Sequence, residues 1–338
     1  VQAVVLVGGF GTRLRPLTST IPKQLLPVGG IPIIERVLAS LAPHGVDRAV
    51  LSMGYLPDPF VAAYPDRRVA GVEVDFAVEA FPLDTAGAIA FAATSSGIDE
   101  TFLVVNGDIL TDLDVTALVD RHRALGGEGT VHLTPVDDPS RFGVVVIDTE
   151  GLVTDWVEKP QGAAPSNLIN AGTYVLEPSF TARVDVDVPV SIERVVFPKM
   201  IAEGRLFGMV DTSYWLDAGT PAAYLRANTD VLDGTRRCRV EGSLRDGSLL
   251  LDGAVVEQGA TVSRSVLGRA SRVSRDATTE GSVVLDHAVI GVGAHIVDSV
   301  VGPGATVHDG AVLTGNCIVA AGATVPEGSR LAGAGVER

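Results

Sequence analysis

The sequence predicts an α/β layer protein, a mixed sheet sandwiched by helices, followed by a second domain built from short β repeats. Two observations carry this. Up to about Asp233, short apolar runs alternate with helical patterns, as in sheets covered by helices on both faces. From about Arg239 helical periodicity disappears, and an aliphatic residue recurs at six-residue steps. The expected boundaries are 1–235 and 236–338.

In the first domain, strands are expected at Ala3 to Val7, Arg48 to Ser52, Val72 to Val78, Phe102 to Val105 and Thr130 to Thr134. Between them, Pro32 to Leu41 reads as a helix with proline in its first turn, stopped before Pro43-His44-Gly45. Thr85 to Thr94 and Val115 to Leu125 are further helices. Ser191-Ile-Glu-Arg194 opens another, and Thr220-Pro221 caps one running toward Leu232.

In the second domain Val301, Val307, Leu313, Val319, Val325 and Leu331 lead successive hexads. Earlier, Val256, Val262, Leu267, Val273, Val284, Ile290 and Ile296 keep the rhythm, with five-residue steps at "SRSVLG", "EGSVVL" and "VDSVVG". This spacing resembles the hexapeptide left-handed parallel β-helix, in which each aliphatic residue points into a triangular prism. An ordinary β-sandwich has no reason to hold a six-residue phase for so long. Repeat domains of this sort often self-associate, so a homo-oligomer is expected.

Composition narrows the function. A chain of 338 residues, 46% hydrophobic, can bury a large core. Its 26 basic and 41 acidic residues leave a net charge of −15, which argues against a nucleic-acid or anionic-membrane partner. A polyanionic ligand must therefore be held by a few local cations. Cys238 and Cys317 are too few for a disulfide framework or a cysteine-rich zinc site, which fits a reducing compartment. No apolar run approaches about 18 residues, and the first strand passes into a glycine loop without a basic start or small-residue cleavage site. The expectation is a soluble, cytoplasmic protein.

That loop, "VVLVGGFGTRLRPLTSTIPKQLLPV" at 4–28, is the strongest local signal. Counting from Gly9, the third position of a dinucleotide-binding G-x-G-x-x-G is Leu14, and Arg13 and Arg15 would crowd the pyrophosphate turn. The Walker pattern fails too, because no Gly-Lys-Ser/Thr follows at its spacing. What remains is a glycine-rich turn whose N–H groups can approach phosphates, with Arg13 and Lys23 in reach of the same anion. On spacing alone, a bare tight turn with solvated cations explains the residues equally well.

"GGFGTRLRPLT" followed by "PKQLLPV" resembles the signature of the sugar-1-phosphate nucleotidyltransferases, the nucleotide-sugar pyrophosphorylases. In that family's order follow "PLDTAGAI" (82–89), "VVNGDIL" (104–110), "FGVVVID" (142–148), "VEKP" (157–160), "NAGTYVLEP" (170–178) and "YWLDAGTPAAYLRA" (214–227). "SIERVVFPKMIAEGRLFGMVDTSYWLDAGTP" looks most like the mannose-1-phosphate guanylyltransferase branch. The resemblance implies a Rossmann-like mixed sheet, a magnesium cofactor, and transfer of a nucleoside monophosphate from an NTP, GTP by the branch, to a sugar 1-phosphate such as mannose 1-phosphate. The same chemistry with dTTP, ATP or UTP and glucose 1-phosphate, or with another hexose or a carbasugar 1-phosphate, is the alternative.

The resemblance also implies roles. Arg13 would hold the departing β,γ-phosphates, Lys23 the α-phosphoryl group, and Asp108 and Asp217 the metal, with Arg13, Lys23 and Asp108 catalytic. The nucleotide would lie over Leu6, Gly8, Gly9, Gly11 and Thr12 and against Glu79, Pro82, Thr85, Ala86 and Gly87, where Glu79 could accept from guanine N1 and N2. For the acceptor, Lys159 would bind the sugar phosphate and Glu158 its hydroxyls, with Gly143, Asn170 and Gly172 lining the pocket. By residue chemistry alone, Glu158 and Lys159 at a strand end could be a surface ion pair, and each aspartate a turn residue.

Two positions depart from the family pattern. Asp84 stands where glycine is usual, so a positive φ there would be strained. Gln24 stands where the guanylyltransferase branch more often has proline, and it is similar to the thymidylyltransferases. Two other classes compete. Hexapeptide β-helices also occur in acyltransferases, and His287, His295 and His308 lie in this one, but a histidine base needs a positioned partner and a cleft. A non-catalytic subunit would be marked by loss of Arg13, Lys23, Asp108 or Asp217, and all four are present.

Overall fold

In the computed structural model, residues 1–54, 56–185 and 188–337 are described. The chain forms two compact units, one of Val1–Gly9 and Ile34–Trp215, the other of Phe10–Ile33 and Leu216–Arg338. The glycine-rich segment thus divides between Gly9 and Phe10: Gly8 and Gly9 belong to the first unit, Arg13 and Lys23 to the second.

The first unit is a Rossmann-like mixed sheet of ten strands among the described residues. Its parallel centre runs Phe102–Asn106, Ala3–Leu6, Arg48–Met53 and Val72–Val78. Val4, Val5, Val50, Leu51, Leu103 and Val104 are fully buried, as continuous apolar strands are when both sheet faces are covered. Leu168–Leu176 joins antiparallel to Phe102–Asn106 and carries the sheet on to Gly143–Ile147 and Val153–Glu158, with Gly129–Pro135 and Leu206–Val210 beside it. This antiparallel half was not among the expected strands, Thr130 to Thr134 excepted.

Helix Asp84–Ser95 packs Ala86, Ile89, Ala90, Ala92 and Ala93 on Val4, Val50 and Val104, its alanines allowing close approach. Helix Val115–Leu125 buries Val115, Leu118, Val119 and His122, a 3.6-residue stripe. Asp114 caps it, accepting from Ala117 N–H at 3.0 Å, and Gly126 ends it in the left-handed region. The helix expected from Ser191 begins instead as a wide π turn, Ile192–Val196, and becomes α-helical only over Phe197–Ala202. Pro198 accounts for the change, because it supplies no N–H to an α-type ladder.

The C-terminal part of the second unit is a left-handed parallel β-helix with three faces, sheets of seven, five and five strands among the described residues. Leu267, Val273, Val284, Ile290, Ile296, Val301, Val307, Leu313, Val319 and Val325 are all fully buried and fill the prism, while Val262 and Leu331 near its ends are half-buried against them. Val256 differs. It is 37% exposed, since the first coil has no coil before it within the prism. At the five-residue steps, buried Ser248, Ser265, Ser282 and Ser299 stack seventeen residues apart, the hydroxyls of the first three each accepting the N–H of the next serine at 3.1–3.3 Å. Cys317 continues this column, its sulfur accepting from Ala334 N–H at 3.4 Å.

In the same unit, Phe10–Ile33 is anchored by fully buried Leu14, Leu17 and Leu26. Gly29 and Gly30, both at positive φ, turn a short hairpin between Pro27–Val28 and Ile31–Pro32. Tyr224 Oη donates to Pro27 O at 2.6 Å, and Gly29 N–H donates to Asn228 Oδ1 at 2.9 Å, fastening the hairpin to helix Pro221–Leu232. No helix among the described residues is long and apolar enough to cross a membrane.

Candidate functional site

The second unit gathers the charged groups. A 3₁₀ turn at Thr12–Leu14 buries Leu14 and leaves Arg13 58% exposed, while Lys23 opens the next such turn with only 8% of its surface exposed. Gly11 enters the first turn in the left-handed conformation, and Thr18 Oγ1 donates to its carbonyl at 2.7 Å. Asp217 ends the strand Trp215–Asp217, and its Oδ2 lies 3.6 Å from Arg13 Nη2. Its Oδ1 accepts Gly219 N–H at 2.8 Å.

Gly219 is the point on which these groups converge. A methyl group placed there would lie 2.7 Å from Arg13 Nη2, 2.7 Å from Asp217 Oδ1 and 3.4 Å from Lys23 Nζ. Two cations and a carboxylate thus border one notch that glycine keeps open, at the start of the helix capped by Thr220. This arrangement can hold a polyphosphate: Lys23 as a buried point charge, Arg13 as a solvent-facing fork, and helix N–H groups nearby. Asp217 offers hard carboxylate oxygens beside the notch, which fits magnesium, a cation that takes one or two carboxylates and completes its shell with phosphates and water. No group of three or more His, Cys, Asp or Glu occurs as a metal cage among the described residues. Buried beside Lys23, Gln24 leaves its Oε1 without a partner among the described residues.

The first unit brings Leu6, Gly8, Glu79 and Asp108 to the carboxyl edge of its parallel strands. Leu6 is level with Ser52 and Asn106. Val7 N–H donates to Ser52 O, after which Gly8 runs so close to Gly54 that an added methyl would lie 3.1 Å from its nitrogen. Glu79 accepts from Ser52 Oγ at 3.1 Å through Oε1 and from Leu83 N–H at 3.0 Å through Oε2, so its carboxylate is fixed against this edge. Gly107 packs where a methyl would meet Val7 Cγ1 at 2.7 Å, which brings Asp108 to the same edge.

The segment 82–87 is bound mainly to itself and to 190–193. Asp84 has φ 59°, and its Oδ1 accepts Thr85 N–H at 2.7 Å. The expected strain at this position is therefore present, lessened by a local hydrogen bond that aspartate can make. Thr85 Oγ1 donates to Glu193 Oε2 and accepts Ile192 N–H, both at 2.8 Å. Ala86 and Gly87 direct their N–H groups at Val190 O. Pro82 is exposed.

The acceptor-side residues form two adjoining groups in the first unit. Gly143 pairs with Glu158 across two antiparallel strands, and a methyl there would lie 2.8 Å from Glu158 Oε2 and 3.1 Å from Trp156 Nε1. Lys159 turns out of the strand at φ 50°, with Nζ 3.3 Å from Glu158 Oε1. In Leu168–Leu176 the pairing shifts between Asn170 and Tyr174. Asn170 Oδ1 accepts Gly172 N–H at 2.9 Å, and Nδ2 donates to the buried Tyr174 Oη at 2.7 Å. Gly172, at φ 78°, lies against Asn106 Nδ2 with no room for a methyl. Burial pushes the Tyr174 hydroxyl pKa up, keeping it protonated. Trp215 Nε1 donates to Ala171 O at 2.9 Å, and its ring meets Phe142 edge-on at 5.6 Å. Sequence reasoning missed Asn106, Phe142, Trp156, Tyr174 and Trp215; the adjacency of Trp156 to "VEKP" and Trp215 to Asp217 was the available signal.

Residues 2–234 match the family described as nucleotidyl transferase, and residues 236–316 match the GlmU-like C-terminal hexapeptide family. The chain belongs to the nucleotidyl transferase family. This nucleotidyltransferase is 39% identical over 276 residues to the mannose-1-phosphate guanylyltransferase of Mycobacterium tuberculosis, covering 81% of this chain and 76% of that one. It is 37% identical over 268 residues to the mannose-1-phosphate guanyltransferase of Schizosaccharomyces pombe, covering 78% and 73%. Among solved structures, HddC from Yersinia pseudotuberculosis complexed with GMP-PN matches with a TM-score of 0.59 at 32% identity, covering 67% of this chain and 97% of that one. The match over residues 2–234 supports nucleotidyl transfer as the reaction of the first part of the chain.

Proposed function

We propose that this nucleotidyltransferase transfers GMP from GTP to mannose 1-phosphate, giving a GDP-sugar and pyrophosphate, in the cytoplasm and as a homo-oligomer, with residues 1–235 as catalytic domain and 236–338 as β-helix domain. The convergence of Arg13, Lys23 and Asp217 on Gly219 carries the reading. The relatives named for mannose 1-phosphate and the GMP-PN held by HddC support the choice of substrates.

The obstacle in such a reaction is charge. Two unit like charges about 4 Å apart repel by roughly 4 kcal/mol at an effective dielectric near 20, and both substrates carry phosphates. Positioning and neutralisation, rather than a protein nucleophile, therefore supply the catalysis. Arg13 takes the departing β,γ-phosphates, and Lys23, shielded from water, faces the α-phosphoryl oxygen as charge builds during in-line attack by the sugar phosphate. Asp108 and Asp217 would hold magnesium, which supplies Lewis-acid stabilisation of phosphate charge. On the nucleotide side, the edge of Leu6, Gly8, Gly9, Gly11 and Thr12 approaches the nucleotide, and Glu79, fixed by Ser52 and Leu83, keeps unshared lone pairs for guanine N1 and N2, with Pro82, Thr85, Ala86 and Gly87 bordering the base. Lys159 and Glu158 bind the acceptor's phosphate and hydroxyls, beside Gly143, Asn170 and Gly172.

One observation keeps a second acceptor in view: Gln24 is buried with an Oε1 that has no partner among the described residues, next to Lys23. Pyrophosphate release over the four NTPs against mannose, glucose and related 1-phosphates, with magnesium and with excess chelator, tests the reading. GTP with mannose 1-phosphate should be fastest and chelator should abolish it. A faster rate with another pair would replace the substrates, and turnover undiminished by chelator would remove the metal.

A further inference from the structure

One polar group beside the acceptor residues is out of balance. The Trp156 indole N–H is buried and has no acceptor among the described residues, although its ring packs on Phe197 at 5.0 Å. A buried donor left unmade raises the energy of the state that contains it. The same notch over Gly143 that takes this nitrogen at 3.1 Å also takes Glu158 Oε2 at 2.8 Å. The other oxygen, Oε1, is turned to Lys159 Nζ at 3.3 Å. One carboxylate therefore pairs with an exposed cation while lying over the same glycine as a buried donor that it does not engage.

We propose that Trp156 is a positioning residue for Glu158, engaged when the acceptor binds: the acceptor phosphate draws Lys159 away, and the freed carboxylate, already over Gly143, turns to accept the indole N–H. This rests on the reading of Lys159 and Glu158 as acceptor ligands. Before binding, the ion pair with a 58% exposed lysine holds the carboxylate only weakly. Afterwards, a charge-assisted bond to a buried donor replaces it, in a fixed orientation toward the acceptor's hydroxyls. Relief of the unmade bond is gained only in the complex, so it adds to acceptor affinity and leaves NTP binding untouched. Gly143 is required because any side chain would fill the notch.

The test follows indole emission of the full-length protein titrated with mannose 1-phosphate, inorganic phosphate or free mannose, with calorimetry reporting binding. Mannose 1-phosphate and inorganic phosphate should both change the emission, free mannose should not, and the change should be smaller in Trp156→Phe, which keeps the ring against Phe197 and leaves Trp215 as the remaining indole. That variant should show an acceptor KM raised roughly tenfold with the NTP KM unchanged. The proposal is overturned if mannose 1-phosphate binds with no emission change from Trp156, or if Trp156→Phe keeps the normal acceptor KM. If instead Lys159→Ala leaves acceptor binding intact, the underlying acceptor assignment fails, and the proposal with it.

Discussion

Single residues in this nucleotidyltransferase differ in how far their chemistry can be read from type alone. His132 sits mid-strand, fully buried, with neither ring nitrogen partnered among the described residues. Burial lowers its pKa to about 4, against a partial opposing pull from Asp211. Above the unfolded value near 6.5 both states are neutral and nothing is lost. As pH falls from there toward 4, only the unfolded chain takes up the proton, so stability drops by about 3 kcal/mol in total. Denaturant unfolding at pH 7 and pH 5 should show a loss of about 2 kcal/mol that His132→Leu removes; equal losses in both proteins would show that His132 is not the cause. Nothing in the sequence marked His132, because alternation along a strand does not say which inward side chain lacks a partner. Asp84 was legible in the opposite way: a residue with Cβ in place of glycine announces its own strain, and φ is 59°. Gly143, Gly172 and Gly219 read only as small residues near motifs. What each makes room for is a side chain distant in sequence, and becomes visible only when the strands are paired.

Elements were legible where one periodicity governed them. The parallel strands and the helices Val115–Leu125 and Asp84–Ser95 fall within about a residue of expectation, since burial on one stripe or on both sheet faces writes itself into the sequence. The β-helix was legible for the same reason, except toward its ends, where the period continues but Val256 is exposed and Val262 and Leu331 are only half-buried. The serine column was not legible. "SRSVLG" and "EGSVVL" showed a shortened step, but not that Ser265 and Ser282 use their hydroxyls to satisfy an N–H on the next coil. Removing one of them should leave the next coil's N–H unsatisfied in a buried corner. Ser282→Ala should therefore lower unfolding stability by about 1–3 kcal/mol, and Ser282→Cys by less, because Cys317 already performs this role with sulfur. Equal destabilisation by alanine and cysteine in thermal unfolding would remove the hydroxyl from the explanation.

At the scale of the whole molecule, the chain's order and its packing disagree. Phe10–Ile33 lies early in the sequence yet forms a unit with Leu216–Arg338. Glu241 N–H donates to Gly29 O at 3.2 Å, and a methyl on Gly335 would lie 3.0 Å from Pro16 Cδ, so this segment touches both the start and the last strand of the β-helix. A reading by linear domains does not reveal this, since contacts between distant segments leave no local period. The proposed function depends on that packing: Arg13 and Lys23 come from the early segment, Asp217 and Gly219 from the late one, and they border one notch a methyl would fill, where we propose that they act on phosphate. Gly219→Ala tests this most directly, by the rate of pyrophosphate release with GTP, mannose 1-phosphate and magnesium, alongside a thermal unfolding curve. The added methyl should displace the Arg13 and Asp217 groups, lowering kcat by roughly a hundredfold while the unfolding midpoint stays near that of the unaltered protein. A folded Gly219→Ala protein that releases pyrophosphate at the unaltered rate would contradict the account.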